Sequence, residues 1–411
     1  MKARRALAVV LGMGIAQAVA APGDFGECGA GLRRAAANHG VPAATFDALL
    51  ADVQPDLSVL PLLDAQPEFS TPLWDYLAGL VDDQRVTDGQ AMLARHQPLL
   101  QRLAAEYGVD PAVVVAVWGV ESDYGRVSGR RPLLQSLATL ACHGRRQPFF
   151  RGELMALLKL LARGELPAHG LTGSWAGAFG QTQFMPTTYL RIAVDGDGDG
   201  RRDLVNSIAD ALASTANYLK RAGWRTDQTW GVEVRVPAGF DAGLAGRGKR
   251  RPLGEWKTRG LLGADGQALA GLGLGDDTPA ALLLPAGRQG PAWLVFRNFD
   301  AIHAYNAAES YALAIALLAD RLRGAGIIRT PWPTDDPGLD RAQRRELQQL
   351  LLDRGHAIGQ ADGIVGSATR HAIVAEQRRL GWPQTDGRAG QRILQALRGE
   401  AGSGTGSRAG H

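Results

Sequence analysis

One stretch of this chain limits its fold more than any other. Nine apolar or small residues, 112–120, run unbroken from Asp110-Pro111 to Glu121. Asp is a favoured helix N-cap and Pro suits the first helical position, so the run reads as a helix. A helix that is apolar on every face must be buried, and burial needs a large body around it. The chain can supply one: it has 411 residues, 45% hydrophobic and 21% charged. That length implies two or three domains, and the composition excludes a disordered chain. Its 45 basic and 41 acidic residues leave a formal charge of +4. So dispersed a charge excludes the concentrated basic face of a nucleic-acid binder. Two cysteines are too few for a disulfide scaffold or a zinc ribbon.

The run ends at Glu121, with Gly125 placed to terminate the helix. Apolar surroundings and the negative end of the helix dipole both disfavour a carboxylate anion there. Both raise its pKa, as a general acid working near neutral pH requires. From these residues alone an equal reading stands beside it, in which Glu121 leaves the core and meets solvent or Arg126. Asp123 points to a different face of the helix end and reads as a surface or capping residue.

Residues 1–20 read as an address. Lys2, Arg4 and Arg5 precede an apolar run, and Ala18-Val19-Ala20 supplies a small-x-small cleavage site, the pattern of a signal peptide. The run is shorter than the roughly 20 residues of a membrane span. Cys28 lies too far beyond it for a lipoprotein acylation site. The expected location is therefore periplasmic, and the expected state of Cys28 and Cys142 is one disulfide. Two buried thiols are the alternative.

Beyond the signal, residues 21–329 read as a mostly helical body, with apolar residues at helical spacing in 46–50, 99–107 and 209–219. Within it, 230–299 carries strand-like runs at 232–236, 281–284 and 293–296 between Gly-rich turns, a small β-rich insertion. Three prolines make 330–337 a linker. A second small domain covers 338–398, and a Gly/Ser-rich tail, 399–411, is expected to be disordered. From residue 338 onward there are eleven arginines and seven acidic residues. The basic excess therefore sits in the signal and the C-terminal domain. The expected fold class is α+β, mainly α.

A further cluster is acidic. Asp195, Asp197 and Asp199 occupy positions one, three and five of an EF-hand-like loop, with Gly200 at six and the Arg201 carbonyl at seven. Position twelve is Asn206 rather than the usual Glu, and Asp210 just downstream is the candidate closing carboxylate. Three carboxylates this close repel one another without a cation, so a structural calcium ion near Gln183 is expected. The alternative is an ion-free acidic turn.

The string Gly119-Val120-Glu121-Ser122-Asp123-Tyr124-Gly125 resembles the catalytic motif of the B-type lytic murein transglycosylases. The block from Gly173-Ser174 through Gly180-Gln181-Thr182-Gln183-Phe184-Met185-Pro186 is similar to that family's second motif. Ala216-Asn217-Tyr218-Leu219 and Tyr305-Asn306 resemble two more, in order. The likeness spans about 68–322. It implies a lysozyme-like fold with helical lobes flanking a groove, and Glu121 as the only acid/base. It also implies a glycan cleft lined by Ser174, Gln183, Phe184, Met185, Tyr218, Tyr305, Asn306 and Tyr311. Tyr76 is added by its position near Trp74 upstream of Glu121.

The implied reaction is non-hydrolytic cleavage between N-acetylmuramic acid and N-acetylglucosamine, leaving 1,6-anhydro ends, without an organic cofactor. The rivals are a muramidase that uses water and a second carboxylate such as Asp123, and a non-catalytic wall scaffold. Residues 338–398 resemble a peptidoglycan-binding type 1 domain, through Asp362-Gly363-Ile364-Val365-Gly366-Ser367-Ala368-Thr369 with Thr369 placed to cap or open a helix. They depart from it at Glu376-Gln377. The implied partners are peptidoglycan glycan strands, together with proteins of wall synthesis or remodelling. The protein is expected to be a monomer.

Overall fold

The computed structural model describes residues 25–405 apart from Ala65 and Ala270. The signal-peptide expectation at 1–20 and the last six residues of the expected tail lie outside the described residues. Among the described residues, no single helix is long and apolar enough to cross a membrane.

The apolar run is a helix, Pro111–Ser122, and residues 112–119 are all buried. The Asp110 carboxylate accepts from the Ala112 N–H at 2.7 Å, capping the first turn. Helices Asp83–Arg95, Ile208–Arg221 and Glu309–Leu322 pack around it, which is how a helix without a polar face is accommodated. A second core forms around Leu133–Cys142 and Gln147–Ala162. Tyr305 packs against both cores and so marks where the two lobes meet. Cys28 and Cys142 form a disulfide with Cα atoms 5.8 Å apart. It closes a sequence separation of 114, which restricts the unfolded chain by about 4–5 kcal/mol in the loop-entropy model.

The β-rich insertion is a five-stranded antiparallel sheet, ordered Arg251–Pro252, Pro279–Leu283, Ala292–Val295, Gly231–Arg235, Leu262–Gly263. Alternation along its strands decides what each face covers. Ala281, Leu283, Trp293 and Val295 join the central core, while Ala280, Leu282, Ala292 and Leu294 build a separate one with Trp256. The insertion is thereby fused to the helical body. Its helix Leu253–Thr258 and a two-stranded pairing of Arg131–Pro132 with Thr172–Gly173 are not visible in the residue pattern.

The C-terminal domain has three helices, Arg341–Asp353, Ser367–Arg379 and Gln391–Thr405, around Leu347, Leu351, Ile373, Leu394 and Leu397. Two expectations are corrected. The last helix runs on to Thr405, through residues whose Gly content had marked them as tail. Thr369, buried, lies in the opening turn of its helix, as one of its two expected roles had it, but the N-cap is Gly366. The linker is also no free spacer. Trp332 lies against Trp74 and Trp293, with both pairs of ring centroids 6.1 Å apart. Two arginines of the C-terminal domain make ion pairs with the body. Arg341 makes a two-pronged contact with Asp123, at 2.9 and 3.1 Å, and Arg388 pairs with Asp75.

Candidate active site

Glu121 stands on the last turn of the central helix, beside Tyr311. The helix ends at Ser122, earlier than Gly125, because Asp123, Tyr124 and Gly125 all take left-handed conformations, with φ of 52°, 60° and 84°. This turn is costly for Asp and Tyr, and specific bonds hold it. The Ser122 hydroxyl accepts from the Gly125 N–H at 2.9 Å, and the Tyr124 hydroxyl donates to the Arg85 carbonyl at 2.8 Å. The Tyr124 ring meets Trp118 edge-on, 5.7 Å between centroids.

Around Glu121 the neighbours are aromatic. Tyr311, only 3% exposed, donates its hydroxyl to the Glu121 carboxylate. Burial pushes the Glu121 carboxyl up to about 8; the Tyr311 hydrogen bond opposes this and the negative charge of Glu68 adds to it. Arg126, the cation that could have neutralised Glu121, pairs instead with Asp88 and Asp123. Tyr76 also faces the site: burial, then the charges of Glu68 and Glu121, raise its phenol pKa.

Tyr305 stacks on Tyr311 at 6.4 Å and meets Tyr218 at 4.7 Å. Its hydroxyl donates to the Thr182 carbonyl at 2.8 Å. Gln183, with φ of 51°, donates from Nε2 to the carbonyls of Gly180 and Ser128 at 2.7 and 3.0 Å. Ser174 Oγ accepts from the Ala178 N–H at 3.0 Å, which folds the loop that presents Gln183. Met185 is half-buried at the N-cap of Pro186–Ile192. Asn306 is exposed at the end of Arg297–Asn306 and makes no described side-chain hydrogen bond. Phe184 requires a correction. At 1% exposure it backs Tyr218 and Tyr305 from beneath and offers no face to the groove.

Asp123 lies in a different environment. Burial acts to raise its pKa, but hydrogen bonds and charges from Arg341, Arg85 and Arg126 outweigh this and hold it below the ordinary carboxylate range. Asp123 is thus an ion-pair anchor, with the buried Arg85 joining it to Asp82. The pairings of Arg85 and Arg341 with Asp123 escape sequence reading because the partners are distant in the chain.

In the acidic loop, carboxylate oxygens of Asp195, Asp197 and Asp210 lie within 4.8 Å of one another. Asp199 is outside this triad, its carboxylate accepting from the Arg201 N–H at 2.8 Å. Asp210, buried, also accepts from the N–H groups of Gly196 and Asp203, both at 2.6 Å. Burial raises the Asp210 pKa, those two bonds lower it, and the charges of Asp197 and Asp195 raise it. No described cationic side chain pairs with the triad. Three converging carboxylates without a counter-charge are a donor set suited to a hard divalent cation.

Residues 24–320 match the model of the transglycosylase SLT domain, and residues 340–397 match a putative peptidoglycan binding domain. The chain is 34% identical over 293 residues to the membrane-bound lytic murein transglycosylase B of Escherichia coli strain K12, covering 67% of this chain and 77% of that one. It is similar to Pseudomonas aeruginosa SltB3 in complex with NAG-anhNAM-pentapeptide, at 50% identity and a TM-score of 0.72, over 91% of this chain and 99% of that one. It is also similar to the Escherichia coli lytic transglycosylase Slt35 in complex with calcium, at 30% identity and a TM-score of 0.65, over 75% of this chain and 96% of that one.

Proposed function

Because the chain belongs to the transglycosylase SLT family, we propose that Glu121 is the single acid and base with which it cuts peptidoglycan. It is a lytic transglycosylase, a lyase of the cell-wall glycan with a lysozyme-like fold and a C-terminal peptidoglycan-binding domain. One observation carries the assignment of Glu121: it is the carboxyl at the groove that burial keeps protonated to about pH 8. A general acid must hold its proton at working pH.

The reaction follows from one such group. Protonated Glu121 gives its proton to the oxygen between C1 of N-acetylmuramic acid and O4 of N-acetylglucosamine. The C1–O4 bond breaks, and the 2-acetamido oxygen or nearby polar groups stabilise the positive charge at C1. The Glu121 carboxylate then takes the proton of the 6-hydroxyl, whose oxygen bonds to C1 and closes the 1,6-anhydro ring. The proton returns to Glu121 and water is not consumed. Tyr311 orients the carboxyl, and the faces of Tyr76, Tyr218 and Tyr305 suit sugar rings. The ordinary hydrolytic pair of carboxylates lacks its second member at Asp123, which is committed to arginines.

Asp195, Asp197 and Asp210 are the residues proposed to hold calcium, which would neutralise their repulsion and brace the loop beside the groove. Export to the periplasm is supported by the disulfide, since such bridges persist in oxidising compartments. Mass spectrometry of digested sacculi tests the function. Anhydro-muramyl ends are expected; hydrated reducing ends would establish the muramidase, and no release at all the scaffold.

A further inference from the structure

The seam between the C-terminal domain and the body holds an open cavity of about 670 Å³, walled by Pro72 and Asp75 of the body and by Arg344, Arg370, Asp386 and Arg388 beyond the linker. Its acids are spent. Asp75 is held by Arg388, and Asp386 accepts from Gln377 at 2.8 Å and from the Arg388 N–H at 3.0 Å. Two of its arginines are not spent. Arg370 is exposed, and its side chain has no described hydrogen-bond or ion-pair partner. Arg344 is half-buried against Gly79, where the missing side chain lets its guanidinium approach. Its guanidinium makes one described hydrogen bond, a long contact of 3.5 Å to the Gly79 carbonyl; its buried Nε has no partner, and the charges of Asp82 and Asp340 act on it without an ion pair. A guanidinium removed from water with most of its N–H donors unmet is unfavourable, and a planar fork of N–H donors is matched by a carboxylate.

We infer that this cavity is a binding site for a carboxylate of the peptide stem on the glycan strand held in the groove, with Arg344 and Arg370 as its ligands. The inference rests on the peptidoglycan reading above and adds to it a preference for peptide-bearing strands. Reach permits it. The helix Leu73–Leu80 separates the two sites, presenting Asp75 to the cavity and Tyr76 to Glu121. A helix is about 10–12 Å across with its side chains. An extended pentapeptide spans up to about 17 Å.

The test uses the full-length protein and isolated, solubilised glycan strands in three forms: peptide-bearing, stripped of peptides by an amidase, and peptide-bearing with the carboxylates chemically amidated. For Arg344→Ala and Arg370→Ala, KM for peptide-bearing strands should rise roughly tenfold, the size of one lost charged hydrogen bond. Their kcat should hold, and KM for stripped strands should not move. Arg344→Lys should recover part of the loss, and amidated strands should make the wild type behave like the variants. Arg370 is exposed, so its replacement does not threaten the fold. An unchanged KM on peptide-bearing strands, or an equal rise on stripped ones, would overturn the site. Failure of the wild type to cleave any strand would instead overturn the enzyme reading beneath it.

Discussion

Glu121 and Asp123 are carboxylates two residues apart on one turn, and the protein treats them oppositely. Glu121 faces tyrosines, meets no cation, and keeps its proton to about pH 8. Asp123 faces Arg341, Arg85 and Arg126 and is held ionised. Burial pushes both pKa values up, and only the charges around Asp123 reverse the outcome. The left-handed residues at 123–125 make this possible by turning the second carboxylate out of the groove and into the seam between domains. Proximity in sequence therefore says little about shared chemistry. What separates a reactive acid from a structural anchor is the sign of the charges around it.

The contrast can be broken at several points. The largest effect belongs to Glu121→Gln, which should reduce cleavage at least as far as general acid–base catalysis contributes, about 10²–10⁴-fold, while glycan binding survives in calorimetry. The same variant has a stability signature. Wild-type Glu121 binds its proton more tightly folded than unfolded. The folded state is thus favoured below the ordinary carboxylate pKa of about 4.3 and loses that advantage as pH rises towards 8. The melting temperature of Glu121→Gln should therefore gain on the wild type as pH rises across this window. Equal differences at both ends would contradict the buried acid.

Next in size, Tyr311→Phe removes the hydrogen bond that lowers the Glu121 pKa. Turnover should fall about tenfold, the scale of one hydrogen bond to a charged group, and the alkaline limb of the pH profile should move upward. A limb moving downward would show that Tyr311 does not steady the anion. Chelation should lower the melting temperature by several degrees, and calcium should restore it, as expected for a ligand bound to the folded state alone. Asp210→Asn should abolish that response. Smallest in activity is Asp123→Asn. It should leave kcat near the wild-type value while weakening the docking of the C-terminal domain, read as a lower or split melting transition. A collapse of kcat would return Asp123 to the role of second catalytic carboxylate.

Local features of this fold were legible in the sequence, and long-range pairings were not. The buried helix, its Asp110 cap and the three strand-like runs follow from periodicity and capping, which act over a few residues. The strands sit within two residues of the expected runs, as in Gly231–Arg235 against 232–236 and Pro279–Leu283 against 281–284. Tyr311 was identifiable only through motif likeness, because its bond to Glu121 joins positions 190 apart. The contact between Arg341 and Asp123, across 218 positions, carried no sequence signal at all. Composition misled at the C-terminus, where Gly-rich residues up to Thr405 extend a helix. Spacing drew attention to the acidic loop, where Asp195 and Asp197 converge with Asp210, the downstream carboxylate expected to close it.

The central claim is that Glu121 acts as a protonated acid with a raised pKa, and the pH dependence of kcat/KM on solubilised strands tests it most directly. Activity should persist through neutral pH and fall on the alkaline side through a single limb near pH 8. An activity that vanishes above about pH 5, where an ordinary glutamic acid has lost its proton, would contradict it, as would near-normal turnover by Glu121→Gln in the same assay.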